Sequence, residues 1–113
     1  MNLLTAAQRT QMLKNSQASR EREIDHRPVV KLFTPDANAT WLLTELDPEE
    51  PDRAFGLCDL DLGYPELGYV SLTELEGLCG PMGLKVERDL HFTASKTLAE
   101  YATEAQTSDR LRA

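Results

Sequence analysis

At 113 residues the chain is the size of one domain, and 41% apolar residues suffice for a packed core. Twelve basic against nineteen acidic side chains leave a formal charge of −7. That balance argues against a general nucleic-acid binder, which needs Lys and Arg to displace counterions, and against docking on anionic lipid. No run approaches the ~20 apolar residues that span a bilayer, and Met1-Asn2-Leu3-Leu4-Thr5 lacks the basic start and apolar stretch of a signal peptide. Cys58 and Cys79 form no CxxC pair, so a cytoplasmic protein with two reduced, buried thiols is the expectation.

In chain order, Thr5-Ala6-Ala7-Gln8 is a capping box that starts a helix from about Ala6 to Asn15. The polar stretch Ser16 to Arg27 is read as either helix tail or linker. Val29 to Phe33 is rich in β-formers. Thr40 to Leu46 alternates as a strand, with Trp41, Leu43 and Glu45 on one side and Leu42, Thr44 and Leu46 on the other. The loop Asp47–Asp52 turns the chain, Ala54 to Leu60 returns as a hairpin partner, and a loop over Gly63–Gly68 leads to a short strand at Tyr69-Val70. Ser71-Leu72-Thr73-Glu74 is a second capping box, its helix carrying Leu72, Leu75 and Leu78 and ending at Gly80-Pro81. Leu84 to Phe92 alternates as a half-buried strand with Arg88 on its apolar side. Thr97 caps a last helix through about Ala105, after which the tail is expected to fray.

The predicted order is α-β-β-β-β-α-β-α. It implies a single α+β domain with a four- to five-stranded, mostly antiparallel sheet and helices packed on one face. Residues 1–27 form the N-terminal helix and polar linker, 28–106 the core and 107–113 the loose tail.

Charge is unevenly spread. Residues 1–35 hold six basic and three acidic side chains, residues 36–90 three and thirteen, and residues 91–113 three of each. The central strands and loops therefore carry the negative charge. Read functionally, they offer an acidic recognition surface of Glu45, Asp47, Asp59, Asp61 and Glu66, with Tyr64 as an aromatic anchor. The plain alternative is a solvated outer sheet face.

Catalytic motifs are missing: there is no GxSxG, HExxH, phosphate loop or dinucleotide fingerprint. Asp59-Leu60-Asp61 resembles the opening of a calcium loop, but the position that must supply a bidentate Glu is Val70. No metal and no cofactor are expected. His26 and His91 are read as surface residues. Arg88 needs a carboxylate if buried, with Glu45 or Asp59 as candidates; otherwise it marks a pocket for an anionic ligand.

The ordered stretches Pro28-Val29-Val30-Lys31-Leu32-Phe33-Thr34-Pro35, Thr40 to Pro48, Phe55 to Leu60, Pro65 to Leu72 and Val86 to Phe92 are shared with a known family. From about Leu4 to Ala105 the chain resembles the uncharacterised bacterial domain-of-unknown-function family 2958. The resemblance implies a small protein of plasmids, integrative conjugative elements and phages, mostly in Proteobacteria, and no catalytic residue. The resulting expectation is a non-enzymatic accessory protein of a mobile element that binds a protein partner with a basic surface. A DNA mimic that blocks a restriction or CRISPR nuclease, and an enzyme or small-ligand binder around Arg88, are the alternatives.

Overall fold

The computed structural model describes residues 3–113. Three helices and five strands follow in the predicted order: α1 (Ala6–Glu21), β1 (Val30–Phe33), β2 (Thr40–Leu46), β3 (Arg53–Asp59), β4 (Glu66–Ser71), α2 (Leu72–Gly77), β5 (Glu87–Arg88) and α3 (Leu98–Ser108). The strands form one antiparallel sheet in the order β4-β3-β2-β1-β5.

The helices cover both sides of this sheet, which corrects the expectation of a single helical face. On one side Met12 of α1 and Leu72 and Leu75 of α2 pack with Val30, Leu32, Trp41, Leu43, Leu46 and Ala54. On the other, Leu98, Tyr101, Ala102 and Ala105 of α3 pack with Leu42 and Leu57. These are called the α1 face and the α3 face below. A strand buried on both sides loses the polar/apolar alternation that reveals a face, so Trp41-Leu42-Leu43 reads as a plain apolar run.

A β-bulge in β2 sets which residue goes to which face. Leu43 lies opposite Gly56 and Glu45 opposite Phe55, so Thr44 is the extra residue. Strict alternation would put Leu46 with Leu42. The bulge instead returns Leu46 to the α1 face beside Trp41 and Leu43, and moves Glu45 to the side of Phe55. An extra residue leaves its backbone groups outside the ladder, and a buried carbonyl without a donor is costly. Here Asn15 of α1 supplies the donor: its side-chain amide donates to Thr44 O at 2.9 Å. Gln11 in turn donates to Asn15 Oδ1 at 2.9 Å. Close strand packing at the same place requires glycine, since a Cβ on Gly56 would stand 1.9 Å from Leu42 O.

Several boundaries differ from the sequence reading. α1 runs through Glu21, and the segment after it is extended but anchored. Leu98 N donates to His26 O, Ala99 N to Asp25 Oδ1, and His26 Nε2 bonds with Ser19 Oγ and Asn15 O. His26 is therefore a half-buried tie between α1 and the start of α3. β4 takes in Glu66, Leu67 and Gly68, because pairing with β3 outweighs the turn preference of Gly68. α2 ends at Gly77, leaving Leu78 exposed. The alternating run Leu84–Phe92 yields a single bridge from Lys85 to Cys79 and the two-residue β5. An Asx turn, His91 N to Asp89 Oδ1, stops it, and Leu90 is 73% exposed. The tail is not loose. Asp109 adopts the left-handed conformation as the C-cap of α3, and Leu111 N donates to Asp59 Oδ2 at 2.8 Å.

Replacing Asn15 by Leu removes the donor to Thr44 O without emptying the space. An unsatisfied buried carbonyl costs about 1–3 kcal/mol, and urea denaturation is expected to show a loss of that size with an unchanged m-value. Asn15→Gln should recover part of it.

Candidate functional site

The six residues proposed from sequence as a recognition surface do not share one surface. Glu45 and Asp47 lie at one end of β2, where they line a cavity of about 250 Å³ with Ser16, Ser19, Arg20, Leu46, Pro48 and Tyr69. Asp59 and Asp61 line a different cavity of about 230 Å³ at the other end, with Asn38, Thr40 and Arg110 among its walls. Asp59 pairs with Thr40 and Glu45 follows five residues later, so the two groups stand ~17 Å apart along the strand at ~3.3 Å per residue.

Asp59 is only 4% exposed. Its carboxylate accepts from Asp61 N at 2.8 Å on one oxygen and from Leu111 N at 2.8 Å on the other. It therefore closes the β3–β4 turn and anchors the C-terminal segment, instead of facing outward for a partner. Asp61 is exposed in the left-handed conformation (φ 63°) and accepts from Asn38 Nδ2 at 3.2 Å. β3 ends at Asp59, so Asp59 and Asp61 do not stand two residues apart on one strand face, the arrangement by which a DNA mimic would imitate successive phosphates.

Tyr64 and Glu66 are both exposed. Tyr64 sits in the β3–β4 loop at 63% exposure, flanked by Leu60 at 52% and Leu62 at 60%. The next residues along β4, Leu67 and Tyr69, are also exposed large apolar side chains. Sequence reasoning found Tyr64 but missed the leucines, which parity had not assigned to a side. Tyr69 lies opposite Phe55, the two rings meeting edge-on at 5.2 Å, and the Arg53 guanidinium stands 4.4 Å over the Tyr69 ring. A second set of exposed apolar residues, Leu78, Met82, Leu84 and Leu90, lies in the segment between α2 and α3.

Arg88 lies on the other side of the sheet from Asp59. It lies opposite Leu32 and so belongs to the α1 face, whereas Asp59, opposite Thr40, belongs to the α3 face. The sheet itself separates the two, and Asp59 is already committed to backbone donors. Arg88 Nη1 donates to Leu3 O at 3.1 Å, tying the N-terminal segment to β5.

Other polar side chains serve the frame. Asp52, in the β2–β3 turn, reaches across to α2. It accepts from Ser71 Oγ at 2.6 Å, from Thr73 Oγ1 at 2.7 Å and from Thr73 N at 2.9 Å. These bonds from Ser71 and Thr73 hold its carboxyl below the ordinary value of 3.8. Asp36 accepts from Met82 N at 2.7 Å and fills the space where a Cβ on Gly80 would sit. Cys58 is half-buried, and burial, helped by Asp59, pushes its thiol up to about 11. Cys79 is exposed, contrary to the expectation of two buried thiols. Among the described residues no group of three His, Cys, Asp or Glu side chains is placed to hold a metal ion. No described helix is long and apolar enough to cross a membrane.

The fold is thus an α+β domain built on an open five-stranded antiparallel sheet. The chain belongs to the family described as "Protein of unknown function (DUF2958)", which it matches over residues 3–112. No curated protein and no solved structure matches it.

The Asp52 bonds carry a pH signature. A carboxyl whose pKa is lowered on folding contributes stability above its unfolded value, and that contribution is lost as pH falls through the folded value. Asp52→Asn is therefore expected to melt lower than the parent at pH 7. The gap should narrow as the pH is taken from about 4 to about 2, as followed by circular dichroism melts across that range.

Proposed function

We propose that this chain is a non-enzymatic accessory protein of a mobile genetic element that acts by protein–protein contact through its β3–β4 loop. The mobile-element setting rests on the family resemblance. The contact surface rests on one observation: Leu60, Leu62 and Tyr64 are exposed together within five residues. Water-exposed apolar side chains gathered at one place mark interaction sites, and Tyr joins a large contact area to a polar tip.

Asp61 and Glu66 flank this apolar centre and are both exposed. Carboxylates at a rim mainly govern encounter rate and the rejection of wrong partners, so the surface suits a partner with basic residues around an apolar pocket. Glu45 and Asp47, at the far end of β2, fall outside this surface, and Asp59 is an internal support for the loop.

Affinity capture from the native host tests the reading. Leu62→Lys combined with Tyr64→Ala is expected to lose the partner retained by the parent chain, while Glu45→Lys with Asp47→Lys retains it. Because the loop residues are exposed, the first pair should leave the unfolding free energy unchanged within the roughly ±0.5 kcal/mol usual for surface changes. Retention by the loop variant, or loss only in the Glu45/Asp47 variant, would overturn the assignment.

A further inference from the structure

The two edges of the sheet are built differently. At one edge β5 contributes only two residues, too short to template another strand. At the other, β4 offers six residues in unbroken register with β3, from Glu66 opposite Cys58 to Ser71 opposite Arg53. Natural sheets usually protect such an edge with a lysine, a proline within the strand, a bulge or a covering element. β4 contains no lysine, no proline and no bulge. Among the described residues, its backbone hydrogen-bonding groups between Glu66 and Ser71 have no partner strand other than β3.

We infer that β4 pairs with the β4 of a second copy of this chain, antiparallel across a two-fold axis at Gly68, so that the two sheets become one. The inference goes beyond the β3–β4 loop contact, since the loop residues Leu60, Leu62 and Tyr64 lie outside the paired strand.

Three features of the strand favour its own copy as the occupant. The first is parity. With the axis at Gly68, Leu67 of one copy lies opposite Tyr69 of the other, twice. Both residues are on the α3 face and exposed, at 46% and 59%. Directly opposed aromatic and aliphatic side chains are a favourable cross-strand pair. The second is room at the axis. Nothing stands within 4 Å of the place a Cβ on Gly68 would take, so no neighbouring side chain crowds the axis on the α1 face.

The third is charge. This register places Glu66 opposite Val70 and keeps the two Glu66 side chains four positions apart, ~13 Å at ~3.3 Å per residue, beyond the ~8 Å screening length at physiological salt. A register centred on Glu66 would oppose the two carboxylates directly. Parallel pairing would set acidic start against acidic start. An isologous two-fold contact of this kind closes on itself, and so does not propagate into fibres.

Site-directed cross-linking is the test, in a Cys79→Ser background that removes the exposed thiol. Cys58 is a poor competitor because burial pushes its thiol up to about 11. Residues opposed across an antiparallel pair have Cα atoms about 4.5–5.5 Å apart, inside the range that a disulfide bridges. Gly68→Cys is therefore expected to give a covalent dimer of twice 12.7 kDa under mild oxidation, while Glu66→Cys stays monomeric. Light scattering on the unmodified chain should show mass rising toward the dimer with concentration. Leu67→Lys, which strikes both symmetric cross-strand pairs, should hold it at 12.7 kDa with the circular dichroism spectrum of the parent. A monomeric parent at every concentration, or equal cross-linking at positions 66 and 68, would overturn the inference. Neither result bears on whether the loop variant loses its captured partner, so the two proposals fail separately.

Discussion

The fold depends on one hydrogen bond between a helix and a defect in a strand. Asn15 of α1 donates to the carbonyl of Thr44, the extra residue of the β2 bulge. β2 is the middle strand, flanked by β1 and β3, and its side chains are buried on both faces. A shift of one residue there exchanges every side chain beyond it between the two cores. The bulge permits Leu46 to join Trp41 and Leu43 under α1, and Asn15 makes the bulge tolerable in a buried position.

From this keel outward, coverage diminishes. α1 lies over β2, while α3 packs on Leu42 and Leu57 near the middle of the opposite face. Neither reaches far enough to bury Leu67 and Tyr69 on β4, which stay exposed, Leu67 opposite Leu57 and Tyr69 against Phe55 and Arg53. The loop leading into β4 is held from inside by Asp59, whose two oxygens fix Asp61 N and Leu111 N. A fixed loop with exposed apolar tips, next to an open strand edge, is the part of this molecule suited to contact others.

Local chemistry was legible in the sequence where it is local. The hydroxyls of Thr5, Ser71 and Thr97 all accept from the N3 backbone N–H, because a cap needs only residues within one turn; the full capping box is formed at Thr5 and Thr97, and its hydroxyl half at Ser71. The antiparallel pairing of β1 through β4 followed from short connections between consecutive β-forming runs, whereas the place of β5 beside β1 did not. What the sequence did not disclose depends on partners distant along the chain. Parity placed Leu46 with Leu42, and only a donor 29 residues away makes the bulge that moves it. Leu84–Phe92 alternates well, yet pairing with β1 extends only to Glu87 and Arg88. The acidic residues were counted as one surface because they are close in sequence. In space β2 spreads them to both of its ends, and Asp59 turns inward to meet backbone amides from two segments. Arg88, read as a buried cation in need of a carboxylate, has a backbone carbonyl from Leu3 as a partner.

Methyl-based NOE spectroscopy on selectively labelled leucines resolves the placement of β2 most directly. With the bulge at Thr44, the Leu46 methyls are expected to contact Ala54 and the cluster around Trp41 and Met12, while those of Leu42 contact Tyr101 and Ala102. Contacts from Leu46 to Tyr101 or Leu57 would show an unbroken alternation through β2 and contradict the arrangement on which both faces are built.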